Sequence, residues 1–264
     1  MANSLKNLTS ILLLLFLAPI IIATIQTPLL SAPTEEKKKE DTPVVYAAQL
    51  EAKPTVAEII APKKAFVLFT HSHEAYLPIL ASQGEKVAVY HPANNITSFQ
   101  DQINDQFAFH QIETKFLENH NPKEMDDYAT VRPLVQDALA HNEYDIVLDI
   151  HRDAMKSKVT TLQTGEESYA KILFVIGGEH DNYKWNEQLA NNLSDELNKL
   201  VPGISRGVMV KAGKGVDGVY NQDIAKNLLV MELGGVDNTE QELNRSIAIL
   251  AKAISNLFNQ QLPS

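Results

Sequence analysis

Ile146-Val147-Leu148-Asp149-Ile150-His151-Arg152-Asp153 begins as an unbroken apolar run and ends in side chains that bind protons or metal ions. A run of this kind reads as a strand buried on both faces, the type found in parallel sheets covered by helices. Working outward, four more runs share its character: Ala65-Phe66-Val67-Leu68-Phe69, Val87-Ala88-Val89-Tyr90, Ile172-Leu173-Phe174-Val175-Ile176 and Leu228-Leu229-Val230-Met231. Helical spacings lie between them. Phe99, Ile103 and Phe107 follow a Thr97-x-x-Gln100 capping box, and Leu189, Leu193, Leu197 and Leu200 recur at intervals of three and four. A last helix starts at a second capping box, Thr239-x-x-Glu242, and buries Leu243, Ile247, Leu250 and Ile254. Strands alternating with helices of this length predict an α/β fold, a mostly parallel sheet flanked by helices, over residues 63–260.

The composition fits one such domain with accessory segments: 264 residues, 44% hydrophobic and 21% charged, which excludes disorder for most of the length. With 33 acidic against 23 basic residues, a formal charge of -10 and no Lys/Arg stripe, nucleic acid is excluded as a partner. No cysteine is present, so thiol nucleophiles, disulfides and cysteine-held zinc are impossible, and any metal must be held by histidines and carboxylates. Residues 1–31 stand apart. Ile11 to Ile25 carries no charge and follows Lys6, the pattern of a targeting segment. No small-x-small cleavage site is evident near Ser31-Ala32, which favours an uncleaved membrane anchor over a removed signal; either one places the remainder outside the cytoplasm. Residues 32–62 mix Pro, Thr and Ala with the run Glu35-Glu36-Lys37-Lys38-Lys39-Glu40-Asp41, the composition of a solvated tether.

In open α/β sheets, sites form beyond the carboxyl ends of strands. Three of the apolar runs lead into metal-type side chains there: Thr70-His71-Ser72-His73-Glu74, then Asp149 to Asp153, then Glu232-Leu233-Gly234-Gly235. Two histidines and a carboxylate form the donor set of a catalytic zinc site, which keeps a position open for water. His71 and Glu74, three apart in a turn, can converge on one ion; His73 competes with His71 for that place. His151 supplies the second imidazole, with Asp149 or Asp153 to orient it and Arg152 to pair with the other aspartate or to clamp a substrate carboxylate or oxyanion. Glu232 ends a buried strand, where burial raises a carboxyl pKa and suits it to act as general base. His91, His110, His120, His141 and His180 are assigned ordinary surface or core roles.

Four blocks in this order resemble the stage II sporulation protein P family: Phe69 to Pro78, Asp149 to Asp153, Val219-Tyr220-Asn221-Gln222-Asp223, and Glu232 to Thr239. Gly177-Gly178, Trp185-Asn186 and Pro202-Gly203 fit it too, so the resemblance covers about residues 64 to 258. It implies a membrane-anchored zinc amidase of phosphorylase/hydrolase-like architecture that cleaves the N-acetylmuramoyl-L-alanine bond of septal peptidoglycan during engulfment, beside other proteins of an engulfment complex. His71, Glu74 and His151 match the family's metal-ligand motifs and Glu232 its catalytic glutamate; Tyr220 and Asn221 are expected to hold glycan or peptide. One departure is Glu74-Ala75-Tyr76 where the family pattern is Glu-Ser-Tyr. The order His71-x-x-Glu74, later His and late Glu also fits a zinc carboxypeptidase, which requires Arg152 or Arg206 opposite the metal; the third reading is a non-catalytic, membrane-tethered wall-binding protein.

Overall fold

The computed structural model describes residues 61–118 and 127–260. The expected anchor and all but the last residues of the expected tether lie outside them. Among the described residues no helix is long and apolar enough to cross a membrane.

The chain forms β1 (Lys63–Leu68), α1 (Leu77–Ser82), α2 (Gln100–Phe109), β2 (Ile112–Phe116), α3 (Tyr128–His141), β3 (Ile146–Asp153) and α4 (Ser157–Thr160). There follow β4 (Thr161–Thr164), β5 (Glu167–Ala170), β6 (Ile172–Gly177), α5 (Tyr183–Leu200), β7 (Ser205–Lys211), β8 (Leu228–Gly235) and α6 (Glu240–Gln260). Six strands make one sheet in the order β2-β1-β3-β8-β6-β7, and β4 and β5 pair as a separate antiparallel hairpin. Every pairing in the large sheet is parallel except that of β6 with β8. The α/β class and mostly parallel sheet therefore hold. The carboxyl ends of β1, β3 and β8 come together at one end.

Alternation along the strands sorts side chains onto two faces. Val67, Leu148, Met231 and Phe174 lie on the larger apolar cluster, built with Ile103 and Phe107 of α2, Leu193 and Leu197 of α5 and Leu243, Ile247, Leu250 and Ile254 of α6. Each fully buried aliphatic side chain of this kind stabilises the fold by about 1.5–3 kcal/mol. Leu68, Val147, Val175 and Val230 face the smaller cluster, where Val131 and Val135 of α3 cover them. Three long helices cover one face and one covers the other, so the second face is where a site can open.

The second capping box forms as expected: Thr239 Oγ1 accepts from the Glu242 amide at 3.3 Å, and the Glu242 carboxylate accepts from the Thr239 amide at 2.9 Å. The first does not. Asn95 caps a short 3-10 turn at Ile96–Phe99, its Oδ1 accepting from the Thr97 amide at 3.0 Å, and α2 begins only after that turn. Nor is Val87–Tyr90 a strand. It is a loop joined to the turn after β1 through one bridge between Glu74 and Tyr90, and Val87 and Tyr90 are about half exposed.

Candidate active site

Asp149 and His151 follow Val147 at intervals of two on β3, and Glu232 follows Val230 on β8, so all three project onto the thinly covered face. His151 and Glu232 are register partners. The chain leaving β1 makes a tight turn in which the Glu74 amide donates to the His71 carbonyl at 3.1 Å. That turn brings His71 and Glu74 over the ends of β3 and β8. One donor atom each from His71, Glu74 and His151 lie within 4.8 Å of one another, among the described residues the one such group of three. Of the two histidines open in the sequence, His71 joins this group and His73 does not.

Each member is held by a specific partner. Glu74 Oε2 accepts the Arg152 backbone N–H at 2.6 Å, while Oε1 faces His71 Nδ1 at 3.6 Å. His151 Nε2 meets Asp149 Oδ1 at 3.1 Å, leaving Nδ1 directed to the Glu74 side at 3.9 Å. Asp149 is fixed in turn by Thr70, whose amide and hydroxyl donate at 2.9 and 2.7 Å. The orienting aspartate is thus Asp149. Tyr76 ties the same turn to β8, its hydroxyl donating to the Leu233 carbonyl at 2.8 Å. Ala75 is fully buried.

The electrostatics are those of a site that attracts a cation. Burial alone would lower the His151 pKa, but the charge and hydrogen bond of Asp149, with Glu74 and Glu232 nearby, lift it to about 9. Glu232 goes the other way for a carboxylate: burial pushes its pKa up to about 7, Glu74 and Asp153 adding to the rise while His151 and Lys211 oppose it. Its Oε2 is buried without a hydrogen-bond partner. A buried, orphaned carboxylate oxygen beside a His/Glu/His donor set fits a borderline divalent cation with a water next to it, and zinc is among the metals that such a set holds.

The groups open into a cleft of about 350 Å³ that Arg152, Tyr128, Tyr220 and Lys211 also line. Arg152 does not pair with Asp153. Arg206 takes that carboxylate at 2.6 Å, and the Arg152 guanidinium donates instead to the Val89 carbonyl at 2.8 Å and the Asp153 carbonyl at 3.2 Å, fastening the loop misread as a strand. Asn221 is not among the lining residues: its amide donates to the Tyr128 carbonyl at 2.8 Å and accepts from Arg132 at 3.1 Å. Both Tyr220 and Asn221 adopt positive φ, 53° and 56°, a local cost accepted where the loop turns under the cleft wall.

Two cleft residues escape sequence reading. Tyr128 begins α3 and packs against both imidazoles, with ring centroids 5.5 Å from His71 and 5.9 Å from His151. Burial holds its phenol well above the usual range, so it stays a hydroxyl, 3.4 Å from His151 Nε2. Lys211 ends an edge strand of mixed polarity. Neither belongs to an apolar run that ends in metal-type side chains.

A family model described as stage II sporulation protein P (SpoIIP) matches residues 26–255. The stage II sporulation protein P of Bacillus subtilis (strain 168) is 34% identical over 205 residues, which make up 74% of this chain and 51% of that protein. The chain thus spans about half the length of the curated relative it matches. Among solved structures, the N-acetylmuramyl-L-alanine amidase Ami1 of Mycobacterium smegmatis aligns over 76% of this chain and 99% of its own at 12% identity and a TM-score of 0.48. A metallo-carboxypeptidase of Burkholderia cenocepacia aligns over 78% and 59% at 11% identity and 0.47. Those two likenesses are too distant to bear on function, whereas the family match covers every block that builds the cleft, from the turn after β1 to the end of β8: the chain belongs to the stage II sporulation protein P family.

Proposed function

We propose that this protein is a zinc-dependent peptidoglycan hydrolase that cleaves the amide between N-acetylmuramic acid and L-alanine, acting on septal wall during sporulation from a membrane-anchored position, with other engulfment proteins as partners. The observation that carries the reading is the convergence of His71, Glu74 and His151 beside the orphaned carboxylate of Glu232. His71, Glu74 and His151 are the residues that would hold zinc, with Asp149 fixing the His151 ring. Zinc bound there supplies Lewis acidity, polarising the scissile carbonyl and acidifying the attacking water.

Glu232 accepts the proton of the attacking water. A pKa raised by burial makes its carboxylate a stronger base than an exposed one, and its free Oε2 is available for the task. The same carboxyl then delivers the proton to the departing alanine nitrogen as the carbon–nitrogen bond breaks, leaving a lactyl carboxylate and a free amine. Tyr128 and Tyr220 wall the cleft and exclude water from the bound substrate.

The carboxypeptidase reading requires an arginine ready for a terminal carboxylate. Arg206 is paired with Asp153 and both terminal nitrogens of Arg152 are bonded to carbonyls, so neither arginine fills that role. The test is to purify the protein, count metal, and digest peptidoglycan. About one zinc per chain and new alanine amino termini support the reading. Glycan chains shortened with no such termini, or no metal uptake, refute it.

A further inference from the structure

The cleft continues past the reacting groups over an apolar floor. Val230 lies two residues before Glu232 on β8, Val175 is its partner on β6, and both line the cleft. The far end is closed by Lys211, at the end of β7, with its Nζ 6.0 Å from the centre of the Tyr220 ring. Two strand spacings, about 10 Å, separate β7 from β8 through β6, a gap that the long lysine side chain and one small substrate unit span together.

Lys211 is half-buried, yet among the described residues no carboxylate lies within the 4.0 Å of an ion pair. Of the acids around it, Glu74 is held by the Arg152 amide and Asp153 by Arg206, while Glu232 feels the Lys211 charge but forms no ion pair with it. An ammonium lining a cleft with no ion-pair partner of its own is free to take a ligand carboxylate in a charge-assisted hydrogen bond.

The chemistry of the substrate says which half supplies one. Once its lactyl carboxyl is part of the scissile amide, the muramoyl side is neutral. The peptide side is not: the residue after alanine is a glutamate joined onward through its side chain, leaving its α-carboxylate free. We propose that Lys211 receives the α-carboxylate of the acidic residue following alanine, so that the peptide half of the substrate lies over Val230 and Val175. This rests on the amidase reading and makes Lys211 a specificity residue of the same site, one that distinguishes stems with a free carboxylate from stems in which it is a carboxamide.

The test uses the zinc-loaded full chain and two synthetic compounds, N-acetylmuramoyl-L-alanyl-D-glutamate and N-acetylmuramoyl-L-alanyl-D-isoglutamine, which differ only at that carboxylate. A charge-assisted contact corresponds to roughly tenfold in affinity. Wild type is therefore expected to show a KM about tenfold lower for the glutamyl compound. Lys211→Met should raise that KM about tenfold relative to the isoglutaminyl KM and so erase the preference, any change in kcat through the loss of the Lys211 charge beside Glu232 being common to both compounds; Lys211→Arg should keep most of the preference. No preference in wild type, or an equal rise for both compounds in Lys211→Met, overturns the proposal. Failure of the amidase reading shows separately, as no release of dipeptide from either compound. Calorimetric binding of the same pair then decides: a preference for the carboxylate that Lys211→Met removes supports docking, and its absence overturns it.

Discussion

Asp149→Asn isolates the part of the site that holds His151. Asp149 Oδ1 lies 3.1 Å from His151 Nε2 and 2.9 Å from the Thr70 amide, and Oδ2 takes the Thr70 hydroxyl at 2.7 Å. Asparagine can keep its oxygen toward the imidazole and the amide while the rotatable Thr70 hydroxyl turns to accept from the new NH2, so the fold should survive. What is lost is the negative charge behind the ring. That charge is the leading contribution raising the His151 pKa to about 9 against the pull of burial, and an imidazole without it is a weaker base and a weaker ligand. Losing an orienting carboxylate behind a ligand typically weakens metal binding by about 10–100-fold, or about 1.4–2.7 kcal/mol. Competition against a chelating indicator would measure the zinc Kd, and circular dichroism would confirm the fold. Wild-type affinity in a folded Asp149→Asn protein would refute the assignment of His151 as a ligand oriented from Asp149.

Stability should depend on pH through Glu232 when metal is absent. Its pKa is raised from 4.5 to about 7 in the folded chain, so the fold binds this proton more tightly than the unfolded chain does. The contribution is present in full below about 4.5 and is lost as pH rises through about 7; His151 acts in the same sense at higher pH. Urea midpoints in chelator should therefore fall less between about pH 5 and 7.5 in Glu232→Gln than in wild type, and parallel curves would contradict the burial of this carboxyl. A different site tests the sheet's outer half. Asn186 is fully buried and donates to the Ala225 carbonyl at 2.9 Å and the Leu228 carbonyl at 2.7 Å, pinning α5 to the entry of β8. Asn186→Ala removes the side-chain donor from both carbonyls, although Ala225 keeps its 3.3 Å bond from the Leu228 amide, and should cost about 1–3 kcal/mol in equilibrium unfolding; a loss well under 1 kcal/mol would show that water takes over those bonds.

The central strands were legible because burial on both faces makes them continuous apolar runs, as in β3, β6 and β8. The site was legible for a related reason: His151 and Glu232 interrupt such runs where the fold places its crevice. The edges were not. In β2, Ile112-Glu113-Thr114-Lys115-Phe116 is partly solvated and reads as polar, and β7 is half-buried at most positions. Pro133 inside α3 hid a helix that the Asp127 side chain caps, accepting from the Thr130 amide at 2.7 Å. Tyr128 and Lys211 lie on α3 and β7, elements that the apolar pattern of the sequence does not reveal. Val87–Tyr90 misled in the opposite sense, since its apolar side chains face outward and its backbone serves the site instead, with the Val89 carbonyl accepting from Ala75 and from Arg152.

The central claim is that zinc is held by His71, Glu74 and His151 while Glu232 moves the proton, and Glu232→Gln separates the two roles most directly. Glutamine keeps the shape of the side chain and cannot accept the proton. Zinc content and hydrolysis of an N-acetylmuramoyl-L-alanyl peptide should be measured on the same preparation. The expected result is about one zinc per chain, as in wild type, with kcat reduced by roughly 10²–10⁴-fold, the range that a positioned acid–base group contributes. Loss of zinc from this variant, or full activity with zinc retained, would contradict the account.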